Sequence, residues 1–499
     1  MSGFAHKTYG SVQIGGPLSS FNEMSVSELT PVGQVEFAYG INTRIVNTLA
    51  FAGGSVVASS SLAHVNSGTS TSGSGDVALR RNLKYHAGQG TLSRATAIFD
   101  TPVASSSQLV GPGNAESGYY FGYSGTSFGV FHVQDGQREI RKLTVGTGAG
   151  TGLVTVTLDG ASVNVPVTGG SNVNRTAYEL SKYDYSQVGG GWLADAIDGT
   201  VFFLSSRPSP YTGSYSVAGS SIVGSFTVVA SGAANTVSFV SQSSWNIDKL
   251  DGTGQSRMTL DPQKGNVYQV GFQYLGFGNA FFGVEDPNTG RIAPVHMIKN
   301  TNARTTPVLK NPQVTTRVVS ANIGNSTNVV VKTASMASFI EGKVVKLDPK
   351  FAFGFSYSAV DTSSTYKPLG IIKVNRVFNS KSCFGEIDLL RVGASNSSTQ
   401  KNLTIALYKG STVSGVANFV YVNEANSIVS YASLDPATDT LNTNGDVPFL
   451  TFQVGPNNAT SIDIIEDNFV INAGDYVVVA IKTDGQVTGE FTINWFEQQ

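Results

Sequence analysis

Apolar and polar side chains alternate along most of this chain with the two-residue period of half-buried strands. The pattern is first clear in GQVEFAYGIN at 33–42. Between 80 and 140 it recurs in RRNLKYHAGQG, LSRATAIFDTPV, SGYYFGYSGTSFGVFHV and QREIRKLTV, each bounded by Gly, Pro, Asn or Ser turns. Such a succession predicts an antiparallel sandwich. The same texture resumes from Ser244 to Ile298, where Asp286-Pro287-Asn288-Thr289-Gly290 predicts a hairpin turn. After Pro312 come strands rich in Val, Thr and Asn; a turn at Asp484-Gly485 predicts a closing hairpin, with Trp495 in its core.

Two stretches break the pattern. Residues 1–30 are polar, rich in Gly and Ser and scarcely periodic, which predicts an extended arm. From about Gly146 to Gly232 the texture is strand, turn, strand, then a helix near NRTAYELSKYDYSQV, with Asn174 as its cap and Gly189 to Gly191 as its stop. The expected fold is therefore all-β. A β-sandwich, jelly-roll or lectin-like, is formed by 31–145 and 233–312 and interrupted by a small α+β insertion at 146–232. A second, C-terminal β-sandwich follows at 313–499. Three consecutive domains are the alternative.

Length and charge narrow the function. A chain of 499 residues exceeds what one core usually serves. Only 13% of residues are charged and the net charge is −2, so nothing marks a nucleic-acid or membrane partner. Aromatic residues, 28 Phe and 19 Tyr, supply ample core material and argue against disorder. Cys383 is the sole cysteine, which excludes an intramolecular disulfide and a multi-cysteine zinc site. The first residues lack an apolar export segment, so the expected place of synthesis is a host cytoplasm without secretion.

Motifs of catalysis fail on their context. Gly125-Thr126-Ser127-Phe128-Gly129 spells a hydrolase nucleophile string, but strand-like flanks on both sides predict a hairpin turn. GTGAGTG at 146–152 lacks the Lys of a phosphate loop. His6, His64, His86, His132 and His296 lie far apart, and no metal or cofactor is expected from them. Asp248 and Asp251, and Asp435, Asp439, Asn444 and Asp446, are oxygen-rich loops that fit turns and match no EF-hand; calcium stays open. The expectation is a protein that is not an enzyme. Rings in GYYFGYSGTSFGVFHV and GFQYLGFGNAFFGV that escape the core would form a stacking surface for sugars; Tyr119, Tyr120, Tyr123, Tyr274 and Phe277 are the candidate glycan contacts.

Three segments together carry a resemblance: LKYHAGQGTLSRATAIFDTPV, ESGYYFGYSGTSFGVFHVQDGQREIRKLTV and SWNIDKLDGTGQSRMTLDPQKGNVYQVGFQYLGFG. Across roughly 33–300, and most specifically at Gly88-Gln89-Gly90, 121–129 and 248–254, the chain resembles virion structural proteins of tailed phages and large double-stranded DNA viruses. INAGDYVVVAIKT resembles the last strands of trimeric or pentameric fibre heads. The resemblance implies a capsid-vertex, fibre, spike or tail component on the particle surface. It would assemble as a trimer or pentamer, attach to other virion proteins through the arm, and bind a host receptor. The alternatives are a carbohydrate-binding adhesin and, behind it, a surface-polymer depolymerase, whose paired carboxylates would have to be Asp248 and Asp251.

Overall fold

The computed structural model of the chain describes residues 28–83, 89–168, 170, 172–343, 348–414, 418–464 and 469–498. Nearly all of the arm, His6, His86 and Gly88 lie outside them. The fold is all-β, built of antiparallel sheets with one α-helix and a single 3-10 turn, Gln242–Ser244, among the described residues.

In the first sandwich a nine-stranded sheet faces a seven-stranded one. The larger runs Ile292–Ile298, Ala280–Glu285, Asn266–Phe272, Thr91–Phe99, Val330–Thr333, Leu62–Asn66 and Ser55–Ser59, with Ser335–Glu341 and Leu29–Glu36 continuing from Thr91–Phe99. The smaller runs Thr236–Ser241, Ser127–Gln134, Gly118–Ser124, Ser106–Gly113, Thr315–Asn322, Ser74–Leu79 and Val46–Phe51. Alternation sends Phe99, Phe121, Tyr268 and Phe282 into the space between, where they meet Trp245. Two expected turns are present. Asp286 accepts the Asn288 N–H at 2.9 Å and the Thr289 hydroxyl at 3.0 Å, closing a hairpin, and Gly125 (φ 58°) turns Gly118–Ser124 back into Ser127–Gln134. A strand therefore follows Ser127 where a nucleophile elbow needs a helix.

The sheets divide the chain at other places than the composition suggests. Thr315–Asn322, Val330–Thr333 and Ser335–Glu341 belong to the first sandwich, not to the C-terminal one. The reason is inward chemistry: Val318, Val331 and Met336 join the first core, and the Thr316 hydroxyl sits 2.7 Å from those of both Ser93 and Ser338. Likewise Arg138–Thr147 leaves the first sandwich to become an inner strand of the insertion's four-stranded sheet.

The insertion combines that sheet (Trp192–Ile197, Thr200–Pro208, Arg138–Thr147, Val223–Ala230) with a three-stranded one (Ala161–Thr168, Thr151–Leu158, Ser216–Ala218) and helix Val173–Ser181. The helix is capped by Asn172, whose side chain accepts the Arg175 N–H at 2.9 Å, two residues before the expected Asn174. It ends at Ser181, well ahead of the glycines, where the Tyr185 hydroxyl takes up the Leu180 carbonyl at 2.9 Å. Thr176, Ala177 and Leu180 bury its inner face.

The C-terminal sandwich holds a five-stranded sheet (Lys350–Val360, Val487–Gln498, Glu386–Asn396, Asn458–Asp463, with Val470–Asn472 on Glu386–Asn396). It packs on a six-stranded one (Val420–Tyr421, Val429–Ser433, Lys367–Val374, Tyr476–Thr483, Leu403–Lys409, Leu450–Val454). Trp495 is fully buried in its core. The expected final hairpin does not form. Tyr476–Thr483 and Val487–Gln498 lie in opposite sheets, each already flanked by two other strands, so the Asp484-Gly485 turn is a corner between sheets.

The units touch through charge and backbone. Arg81 pairs with Asp388 at 3.1 Å, Asn82 donates its N–H to Glu386 at 3.0 Å, and Arg80 pairs with Asp475. Buried Lys373 of the C-terminal sandwich pairs with buried Asp195 of the insertion, and the Asp198 N–H reaches the Phe419 carbonyl at 2.9 Å. Arg207 of the insertion donates to the Asn322 carbonyl of the first sandwich at 3.2 Å.

Candidate functional site

Most of the aromatics expected to meet a glycan are core residues. Tyr119, Tyr120 and Tyr123 are buried, because in Gly118–Ser124 both faces are covered and alternation exposes neither. Tyr119 stacks on His132 with centroids 4.6 Å apart, and Tyr123 meets Phe99 and Phe128 edge to face. His132 is fully buried, and burial pulls its imidazole down to about 4; the Val308 carbonyl at 2.7 Å from Nε2 opposes this and Arg304 adds to it. Tyr274 is half-buried, its hydroxyl donating to the Leu309 carbonyl at 3.1 Å. Of the five candidates, Phe277 alone is exposed, at 41%.

An accessible surface exists elsewhere on the same sandwich. The outward face of the nine-stranded sheet forms the floor of an open groove of about 1110 Å³, and the segment Tyr39 to Ile45 forms its wall. Strand register places the floor residues. Gln34 lies opposite Ala337, which pairs with Arg94, which pairs with Gln269. Glu36 pairs with Ser335, and Thr96 with Val267. The Arg94 guanidinium is held by Gln269 Oε1, at 2.6 Å from Nη2 and 3.1 Å from Nε, so it is aimed before any ligand arrives. Glu36 and Glu285 supply acceptors at opposite ends of the floor. Tyr39 stands at the rim 97% exposed.

One side-chain row further along the strands, roughly 7 Å away, the surface is apolar. Register brings Phe281, Gly271, Leu92 and Phe339 into one line across four strands. Phe281 is 50% exposed, and a Cβ at Gly271 would meet only the Thr91 carbonyl, at 3.7 Å, so the glycine leaves a trough between the rings. Polar hydrogen-bonding groups beside an aromatic trough suit a polyhydroxylated ring, whose hydroxyls and apolar face need both.

The acid pair named for depolymerase chemistry does other work. Asp248 is buried and accepts the N–H groups of Leu250 at 2.9 Å and Ser256 at 2.7 Å; Asp251 accepts that of Thr253 at 2.9 Å. Both close turns. In the groove, Glu36 and Glu285 sit four strands apart, roughly 19 Å, beyond the spacing of glycosidase carboxylates. Asp435 and Asp439 likewise accept neighbouring N–H groups, and among the described residues no three His, Cys, Asp or Glu side chains gather into a metal cluster.

Sequence patterns could have found part of this site. Phe281-Phe282 within a strand must send one ring outward, and the register now shows which. Arg94, Glu36 and Tyr39 carried no signal, since their meeting depends on strands separated by hundreds of residues.

No family model and no curated protein matches the chain. Among solved structures it is similar to a legume lectin-like domain from Entamoeba histolytica, at 7% identity over 61% of this chain and 95% of that one, with a TM-score of 0.23. It is similar to peanut lectin, crystallised with a 9-residue peptide, at 11% identity over 64% and 100%, TM-score 0.24. The CBM2 module of the evolved Dit protein of Lactobacillus casei BL23 phage J-1 is similar at 9% identity over 64% and 100%, TM-score 0.22. None of these likenesses assigns a ligand to this chain; the fold class rests on its own sheets.

Proposed function

We propose that the chain is a glycan-binding adhesin whose site is the groove and trough on the nine-stranded sheet. The observation that carries this reading is the juxtaposition of the exposed ring of Phe281, in line with the half-buried Phe339, with a pre-aimed Arg94 and the acceptors Glu36 and Glu285. The setting we propose is the surface of a virus particle, as the sequence resemblance implies, with the arm holding the chain to other virion proteins.

A printed glycan array probed with the purified chain tests the site. The expected outcome is a reproducible set of hits that Phe281→Ala and Arg94→Ala each weaken at least tenfold, with their free energies of unfolding within about 0.5 kcal/mol of the parent because both side chains face outward. An array without hits removes the glycan reading.

A specific observation also favours self-assembly. Val223–Ala230, at the edge of the insertion's sheet, carries no charge and no proline, and exposes Val223 (61%) and Val228 (51%). Edges of this kind pair with other strands unless something blocks them. The expected state is therefore a homo-oligomer, which the fibre-head resemblance makes a trimer or pentamer and which Val228→Lys should shift toward monomer in light scattering at micromolar concentration. A parent that is already monomeric there contradicts it.

A further inference from the structure

Where the first sandwich, the insertion and the C-terminal sandwich meet, they line a half-open cavity of about 370 Å³. Four arginines line it: Arg80, Arg138, Arg317 and Arg376. Three of them have a carboxylate of their own. Arg80 pairs with Asp475, Arg317 with Asp76, and Arg138 lies 3.8 Å from Glu116. Asp475 is also taken by Lys409 at 3.0 Å. Arg376 differs. Its backbone N–H donates to Asp195 at 2.9 Å, but no described residue places an acceptor within hydrogen-bond distance of its guanidinium. That group lies over Gly474, where any Cβ would come within 2.1 Å of Cζ, so the glycine makes the space in which it rests.

Val46, Leu193, Leu204 and Phe384 give the wall an apolar part, beside the polar Asn47, Asn82, Asn114 and Gln313. Arg376 and Gly474 also line a neighbouring pocket of about 270 Å³, so a guanidinium without a hydrogen-bonded partner, beside carboxylates already committed to other cations, leaves positive charge where the cavity and that pocket adjoin. The fork of a guanidinium matches a carboxylate in two parallel hydrogen bonds, and the volume lies in the range of small-molecule sites. We propose that this junction cavity is a second binding site, separate from the sugar groove, that takes a small organic carboxylate on Arg376 with its body against the apolar wall. An occupant there touches all three units at once, so binding tightens their association.

Isothermal titration calorimetry of the full chain with benzoate, glucuronate, phosphate and neutral glucose at constant ionic strength tests the site. One-to-one saturable binding of benzoate or glucuronate is expected, with at least a tenfold loss in Arg376→Gln and no change in the groove variant Arg94→Ala; any glucose uptake belongs to the sugar groove. Should Arg376→Gln fail to fold, Leu49→Trp supplies the same test. Leu49 lines the cavity from the edge strand Val46–Phe51 and is 37% exposed, so added bulk fills the space without burying strain. Binding unchanged in whichever of Arg376→Gln and Leu49→Trp folds overturns the proposal. So does phosphate binding without either organic acid, or a parent chain that takes up neither acid.

Discussion

Asp195→Ala is expected to destabilise the protein by about 3–5 kcal/mol, because it leaves a buried ammonium without its counter-charge. Lys373 and Asp195 are both buried; Lys373 also donates to the Ala196 carbonyl at 2.7 Å, and Asp195 Oδ2 accepts the Arg376 N–H. Burial pulls the Lys373 ammonium below its usual range, while Asp195 works against that pull. Removing the acid reverses only the favourable part. The pair joins the insertion to the C-terminal sandwich, so its loss should also uncouple their unfolding. Nature supplies the reporters: of three tryptophans, Trp192 lies in the insertion's core, Trp245 in the first sandwich and Trp495 in the C-terminal one. Urea melts of single-tryptophan variants should show the Trp192 transition moving to lower denaturant, away from that of Trp495. A loss under about 1 kcal/mol with coincident transitions would mean that the pair contributes little to the junction.

Phe121→Ala is expected to cost a similar amount, about 3–5 kcal/mol, for a different reason. Phe121 is fully buried and touches Tyr268, Phe282 and Trp245 with ring centroids at 5.0, 5.2 and 5.9 Å, so truncation opens a cavity that rings fixed on two strands and a 3-10 turn cannot close. The Trp245 transition should shift and that of Trp495 should not. Phe281, beside Phe282 but facing outward, makes the contrast: one face of a strand sets stability and the other sets binding. Equal losses of stability from Phe121→Ala and Phe281→Ala would contradict this division.

Strand alternation and turn chemistry were enough to read an all-β chain, an interrupting α+β unit and the turns at 125 and 286–290. They could not assign strands to sheets. Thr315–Asn322 looks in sequence like the strands that follow it, and only its partners, Ser74–Leu79 and Ser106–Gly113, give it to the first sandwich. The Asp484-Gly485 turn misled for the same reason, since a hairpin and a sheet-to-sheet corner share turn residues. For the site, aromatic density pointed to the stretch that holds Phe281 but equally to Gly118–Ser124, a strand buried on both faces, where alternation carries no information about exposure. The groove escaped notice because Glu36, Arg94 and Gln269 come together through register alone.

Hydrogen–deuterium exchange of the chain, with and without the strongest array hit, tests most directly whether the nine-stranded sheet is the glycan site. Protection should concentrate in Thr91–Phe99, Asn266–Phe272, Ala280–Glu285 and Ser335–Glu341 and in the wall from Tyr39 to Ile45. Protection confined to the C-terminal sandwich or to the three-unit junction, with these strands unchanged, would contradict it.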